Sequence, residues 1–415
     1  FNVVVGDEAG TALTTGDSNV AVGYAALDLE DTGSNNTAIG NAALSTLNLD
    51  GAAYNTAVGS DAGQSMTTGT NNTLLGGQAG KALTATEGNT AVGLNALLSD
   101  TNGSKTVAVG RSALGVQNFT TATDTYNVAV GYFAGVAVTT GTQNTYIGGL
   151  AGDAATASVE NVAVGYQALS ADTLGSKNVA VGRMALLSQN FATATDSYNV
   201  AVGHNAGQQI TTGVDNTLIG GLSGDAITDA DFNVAVGNSS LSANTVGSKN
   251  TAIGSSALLV MNPATATDMH NTAVGYHSGR LVSTGIRNTF IGSEAGDAVT
   301  TANDNVAVGA LALSGDTLGA QAVAIGRGAL KVQNFTTATN NFNVAVGYSA
   351  GEAVTTGINN VLIGGLAGDA LQAASDNTVV GYNALGAETG AQNNVAIGTN
   401  ALAAQNITSG NIYNI

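Results

Sequence analysis

The 415-residue chain has no cysteine, one proline (Pro263), three histidines and only 10 Lys+Arg. Without cysteine there is no disulfide framework, no thiolate metal site and no thiol nucleophile. With 28 acidic residues against those 10 basic ones the formal net charge is -18, so the basic footprint that neutralises phosphates is missing and a nucleic-acid partner is excluded. An acidic surface instead keeps a long rod soluble and separate from its neighbours. Hydrophobic residues make up 44% and charged residues 9%, which raises the question of a membrane protein. No run of about 18 apolar residues exists to form a spanning helix, because Gly, Asn, Thr and Asp interrupt every stretch. Of the histidines, His204 stands where Tyr132 and Tyr276 stand in equivalent stretches, and reads as a surface or interface variant rather than a metal ligand. No Ser-His-Asp set and no converging carboxylate pair is present. The expectation is a non-enzymatic chain without a cofactor.

What is present is one phrase, repeated. Asn127-Val128-Ala129-Val130-Gly131 returns as Asn55-Thr56-Ala57-Val58-Gly59, Asn199-Val200-Ala201-Val202-Gly203 and Asn343-Val344-Ala345-Val346-Gly347. The glycines of successive copies, from Gly6 and Gly23 to Gly381 and Gly398, mostly follow one another at a step of 17. The step widens to 21 four times (110 to 131, 182 to 203, 254 to 275, 326 to 347) and to 19 once (40 to 59). A fixed period of this order marks a solenoid, whose repeats bury their faces only by stacking. One elongated all-β repeat domain over 1–415 is therefore expected, in place of the two or three domains that length alone suggests.

Glycine and β-branched residues recur at every turn, and each interior glycine costs a helix about 1 kcal/mol relative to alanine. Two short strands and two corners per coil are expected, with Pro263 in a connection where it removes no ladder hydrogen bond. Val128 and Val130 point to one face of their strand and Ala129 to the other. Apolar residues on both faces belong to a strand covered on both sides, and a thin coil has one interior, so another copy of the chain is expected on the outer face. The leading Asn fills 21 of 23 copies, Thr106 and Ala322 being the exceptions. Asn55, Asn72, Asn127, Asn144, Asn199, Asn216, Asn271 and Asn288 are expected to stack as an amide ladder at corners of positive φ. Gly59, Gly131, Gly203 and Gly275 are expected as backbone corners.

A second period lies over the first. At the eighth position after the Asn the chain reads Gly63, Gly80, Leu97, Leu114, then Gly135, Gly152, Leu169, Leu186, so that four coils make a 72-residue supercell. In its second coil the small middle residue of the strand becomes large, as Leu74, Tyr146, Leu218, Phe290 and Leu362. Gly-Gly follows at Gly76-Gly77, Gly148-Gly149, Gly220-Gly221 and Gly364-Gly365, and is expected to make room for it. The fourth coil carries a longer connection with Gln117-Asn118-Phe119, Gln189-Asn190-Phe191 and Gln333-Asn334-Phe335, expected to bulge outward. Arg111, Arg183 and Arg327, with Lys105, Lys177 and Lys249, recur on this coil. Phe119, Phe191, Phe335 and the three arginines are candidate surface contacts for a receptor; the competing reading pairs the cations with Asp124, Asp196 and neighbouring chains.

Two further patterns are weighed and set aside. Gly148-Gly149-Leu150-Ala151-Gly152-Asp153 is near the calcium-binding Gly-Gly-x-Gly-x-Asp nonapeptide, but its third glycine and Asp are displaced and nothing repeats with a period of nine. Thr139-Thr140 and Thr211-Thr212 suggest an ice-binding threonine face, but such pairs recur once in four coils.

The phrase Asn-Thr/Val-Ala-Val/Ile-Gly followed by Ala-Leu or Ala-Gly resembles the head repeats of YadA-type trimeric autotransporter adhesins and the similar repeats of bacteriophage tail fibres, over essentially the whole chain. The resemblance implies a parallel β-solenoid in the form of a left-handed β-roll, assembled as a homotrimer, extracellular, on a virion or cell surface, and serving to reach and hold a surface receptor, a glycan among the candidates. A phage tail-fibre type shaft is the first expectation, and a bacterial adhesin or self-assembling extracellular filament the alternative. Unlike the adhesin heads, this chain has a 17-residue coil, the supercell, and no coiled-coil stalk or anchor barrel. Phe1-Asn2 matches Phe342-Asn343, and residues 411–415 begin another copy, so a segment of a longer fibre is expected.

Overall fold

Between each Asn and Gly of the phrase stand three residues, mostly β-branched residues flanking a smaller one, and these form the strands. The computed structural model describes residues 1–407, 410, 411 and 413. Ile412, Asn414 and Ile415, part of the expected further copy, lie outside them. Among the described residues there is no helix, and none is long and apolar enough to cross a membrane.

The chain divides into two compact units, Phe1–Thr212 and Gly213–Ile415. In the first, twelve three-residue strands from Val3–Val5 to Val200–Val202 pair in parallel. The second holds eleven, from Thr217–Ile219 to Val395–Ile397. Each strand pairs with that of the next coil without slippage, as in Val128↔Thr145, Ala129↔Tyr146 and Val130↔Ile147. Both units are thus parallel β-solenoids whose equivalent positions recur mostly at a step of 17.

The second strand expected in each coil does not form in most of them. After Gly131 the chain enters the left-handed region at Phe133 (φ 55) and again at Gly135 (φ 57), which breaks extended backbone and makes a tight turn. A second, two-residue strand occurs beside the longer connections: Gly103–Ser104 with Thr123–Asp124, and Gly175–Ser176 with Thr195–Asp196, in the first unit. In the second unit Gly247–Ser248 pairs with Thr267–Asp268, Gly319–Ala320 with Thr339–Asn340, and Ala391–Gln392 with Gly410–Asn411.

The core is made by the middle residue of each strand and by the slot at the eighth position after the Asn. Ala129, Tyr146, Ala163 and Ala180 are wholly buried, as are Leu114 and Leu186. Large and small alternate between these positions. A Cβ on Gly152 would stand 2.3 Å from the Tyr146 ring, and one on Gly135 2.8 Å from it; Phe290 excludes a Cβ from Gly279 and Gly296 in the same way, at 2.8 and 2.5 Å. Where the slot carries leucine, the strand of the same coil mostly carries alanine, as Ala163 with Leu169 and Ala180 with Leu186. Room for the large residue comes from these slot glycines and not, as expected, from Gly-Gly: a Cβ on Gly149 would meet only Tyr166, at 3.6 Å. Burial pushes the Tyr146 phenol up to about 12, so it stays protonated beside Ser158 Oγ at 3.4 Å.

Candidate functional site

The ladder asparagines lie at the start of the strand, buried. Asn144 N–H donates to Asn127 Oδ1 at 2.9 Å, and Asn127 Nδ2 donates to Gly141 O at 2.8 Å. Asn72 N–H donates to Asn55 Oδ1 at 3.0 Å and Asn288 N–H to Asn271 Oδ1 at 2.9 Å. Asn199 Nδ2 donates to Gln189 Oε1 at 2.9 Å, and Asn216 Nδ2 to Ala230 O at 2.8 Å. Each side chain thus ties the strand start of one coil to the backbone of another, mainly through amide-to-backbone bonds and secondarily through amide-to-amide contacts such as Asn144 Nδ2 to Asn127 Oδ1 at 3.4 Å. The two exceptions are compensated locally. After Thr106, Asn127 N–H turns to Thr125 Oγ1 at 3.3 Å, and after Ala322, Asn343 N–H turns to Asn341 Oδ1 at 2.9 Å.

The positive φ expected of these asparagines belongs to the residue before each of them, such as Tyr126 (φ 52) and Gln143 (φ 60). The strand needs Asn in extended backbone, and the corner is turned one residue earlier. Gly59, Gly131, Gly203 and Gly275 have φ of 137, 144, 142 and 140. At Gly131 a Cβ would stand 2.4 Å from Gly148 O, so backbone of the neighbouring coil occupies the space of any side chain.

The candidate surface contacts separate into two groups. Phe119, Phe191 and Phe335 are 7%, 6% and 5% exposed, so they do not stand on a surface bulge. They fold back over the coil, while flanking residues such as Asn118 and Thr120–Ala122 in the first case are exposed. The cause is a buried acid in the preceding coil. Asp100 Oδ1 accepts from Gly103 N–H and Phe119 N–H, both at 3.1 Å, and Oδ2 accepts from Gln117 Nε2 at 2.6 Å. Gln117 Oε1 in turn accepts from the ladder amide of Asn127 at 2.9 Å. The same set forms around Asp172 with Gln189, and around Asp316 with Gln333. Burial pushes the Asp172 carboxyl up, against the bonds from Gln189 and backbone N–H groups. Sequence reasoning did not single out these acids; the available signal is that they recur with the supercell, in step with the glutamines.

Arg111, Arg183 and Arg327 are exposed and meet aromatic rings of the following coil, not the phenylalanines named with them. Arg111 lies 5.8 Å from the Tyr132 ring centroid and 5.6 Å from that of Phe133, and Arg327 lies 5.8 Å from Tyr348. Arg183 Nη1 lies 3.3 Å from His204 Nε2. The lysines pair with acids of the longer connection: Lys105 Nζ to Asp124 Oδ2 at 2.5 Å and Lys177 Nζ to Asp196 Oδ2 at 2.6 Å. Each also lies over a tyrosine, Tyr126 at 5.6 Å and Tyr198 at 5.3 Å. Lys105 holds the Asp124 carboxyl below the usual carboxylate range. Thr139, Thr156 and Thr173 also stack on successive coils, a column that their regular spacing announces. Their hydroxyls donate to Thr156 O, Thr173 O and Asn190 Oδ1 at 3.2, 3.0 and 2.9 Å.

Compared with known proteins, the chain matches no family model and no curated protein.

The remaining surface feature is the outer face of the strands. The middle residue points inward and its two neighbours outward; Ile39, Leu75 and Ile147 are 37%, 36% and 38% exposed in the first unit, and Ile219, Ile291 and Ile363 39%, 39% and 40% in the second. None of the three-residue strands described contains a charged residue. Each unit therefore carries an unbroken column of Val, Ile, Leu and Thr on its outside, recurring at every coil. Exposed apolar patches of large extent mark interaction sites, ligand grooves or aggregation liabilities.

Proposed function

We propose that the chain is the shaft of an extracellular attachment fibre, assembled as a homotrimer and most similar in role to a phage tail-fibre appendage. The observation that carries the reading is the outward apolar column of each unit. Three chains that turn this face toward a common axis bury it, at about 25 cal/mol per Å² of apolar surface removed from water, and need no other partner to do so. The four-coil supercell then sets the spacing of the outer contacts, because the Lys–Asp–Tyr group at Lys105 returns at Lys177, one supercell later. Repeated weak contacts of this kind gain avidity through multivalency without any single strong site. The work is mechanical and adhesive, with no reaction to catalyse.

Sedimentation at several concentrations tests the assembly. A mass near three times the 40.6 kDa chain is expected, with Val130→Lys and Val202→Lys together driving it toward monomer. A stable wild-type monomer overturns the trimer, and open-ended growth with concentration replaces it by a stacking filament. Attachment is tested by retention of bacterial or host cells on immobilised protein.

A further inference from the structure

Beside the first longer connection the Phe1–Thr212 unit has a cleft of about 520 Å³. It is lined by Thr68, Thr70, Glu87 and the buried Thr86 and Ser104, with Thr70 and Glu87 held together by a parallel bridge. Its lip is Thr123–Asp124, fixed by pairing with Gly103–Ser104. The methyl groups of Ala85 and Ala122 complete the wall. The volume falls within the range of small-ligand sites, and a site built on paired backbone is ordered before the ligand arrives.

We propose that this cleft is a binding subsite for a neutral saccharide, with the Glu87 and Asp124 carboxylates accepting from sugar hydroxyls and the Tyr126 ring meeting the C–H face of a pyranose. This rests on the surface-attachment reading above. Hydroxyls, carboxylates and methyl groups in alternation match the mixed polarity of a sugar and suit neither a purely apolar ligand nor an anion. The nearby ammonium, Lys105, is already committed to Asp124 at 2.5 Å, so an anionic ligand would face two carboxylates without a free cation. Asp124 is kept ionised by Lys105 and is oriented by Tyr126 Oη, 3.3 Å from Oδ2. That contact sets the Tyr126 ring, 53% exposed, at the edge of the lip. Glu87 is exposed and forms no ion pair among the described residues. One supercell further on, the lip and ring return as Thr195, Asp196 and Tyr198, but Glu87 becomes Val159, so that position has lost one acceptor.

The test uses the full chain on an array of immobilised oligosaccharides: neutral hexose and N-acetylhexosamine chains, with sialylated and uronate chains as anionic comparators. Retention on at least one neutral glycan is expected, weakened about tenfold or more by Glu87→Gln with Asp124→Asn. Tyr126→Asn, which keeps a residue suited to positive φ, should weaken it separately, and Val159→Glu should strengthen it. No retention on any neutral glycan, retention confined to anionic glycans, or undiminished binding by both the double variant and Tyr126→Asn overturns the proposal. Unchanged sedimentation of the variants guards against misfolding. Cell attachment by the wild type together with no retention on any neutral glycan sinks the cleft and leaves the attachment reading; failure of the wild type to attach to cells sinks that reading while the array still decides the cleft.

Discussion

The longer connection closed by Asp172 and the one closed by Asn244 do the same job with and without a buried charge. In the first unit Asp172 accepts from Gly175 N–H at 2.9 Å and Gln189 Nε2 at 2.6 Å, with Phe191 folded over the coil. In the second unit Asn244 closes on Gly247 alone, accepting its N–H at 2.8 Å and donating to its carbonyl at 2.7 Å. The glutamine has become Met261, whose sulfur faces the Asn271 amide at 3.6 Å, and the phenylalanine has become Pro263, packed where a Cβ on Gly247 would fall at 3.1 Å. Acid, amide and ring have changed together. A buried carboxylate is tolerated only when all its donors are present, and a neutral side chain that satisfies itself releases the others to become apolar.

The contrast is broken most severely by Asp172→Ala. It leaves the Gly175 and Phe191 N–H groups and the Gln189 amide without their acceptor, and should lower stability by about 3–5 kcal/mol, read as a fall in the denaturant midpoint and as faster amide exchange at Gly175. Converting one solution into the other is the sharper experiment. Asp172→Asn alone should cost about 1–2 kcal/mol because the Gln189 amide then faces another amide, and adding Gln189→Met should recover part of it. A double-mutant cycle should show coupling of about 1 kcal/mol; strict additivity would mean that the residues do not act as a set.

Acidity separates the two kinds of buried acid further. Asp172 is raised by burial, so its ionised form is the less stable one in the fold: its contribution is fully present below the unfolded pKa and lost as pH rises through the folded value. Wild type should therefore gain stability relative to Asp172→Asn as the pH is lowered into the carboxylate range. Glu388 has the opposite sign. Burial pushes it up, but bonds from the Ala391 and Gly390 N–H groups and from Gln405 outweigh burial and hold it below the ordinary value, so its contribution is lost as pH falls. Glu388→Gln should flatten acid destabilisation; parallel acid profiles for the two variants would contradict these signs. The smallest effect is expected at the same connection but outside it: Lys177→Ala removes an exposed pair with Asp196 and should leave the denaturant midpoint unchanged within error, since such pairs are screened by water and salt.

How much could be read from the chain follows from what each residue contacts. The parallel coils were legible because Asn127 to Gly131 and their copies recur at a fixed spacing, and stacking places equal residues on equal neighbours. The amide ladder was legible for the same reason. The fate of Phe119, Phe191 and Phe335 was not, because an aromatic in a longer connection looks like a surface feature until its backbone N–H is seen to bind a buried acid one coil earlier. The partner of Arg111 was likewise hidden, since Tyr132 follows it by a whole widened coil and the two meet only when the coils stack. The role of the slot glycines was half visible: their alternation with leucine was plain, but the ring that needs Gly135 and Gly152 belongs to Tyr146, on a strand between them.

Period and composition by themselves determined that this protein is all-β, coiled in parallel and built without disulfides, because a repeat of small and β-branched residues has no other way to pair its backbone than with its own next turn. Tertiary structure alone decided which face of each strand is inside, where the positive-φ corners fall and which acids are buried. Those choices depend on the volume and hydrogen-bonding groups that the adjacent coil presents, and that neighbour is defined only once the chain has wound.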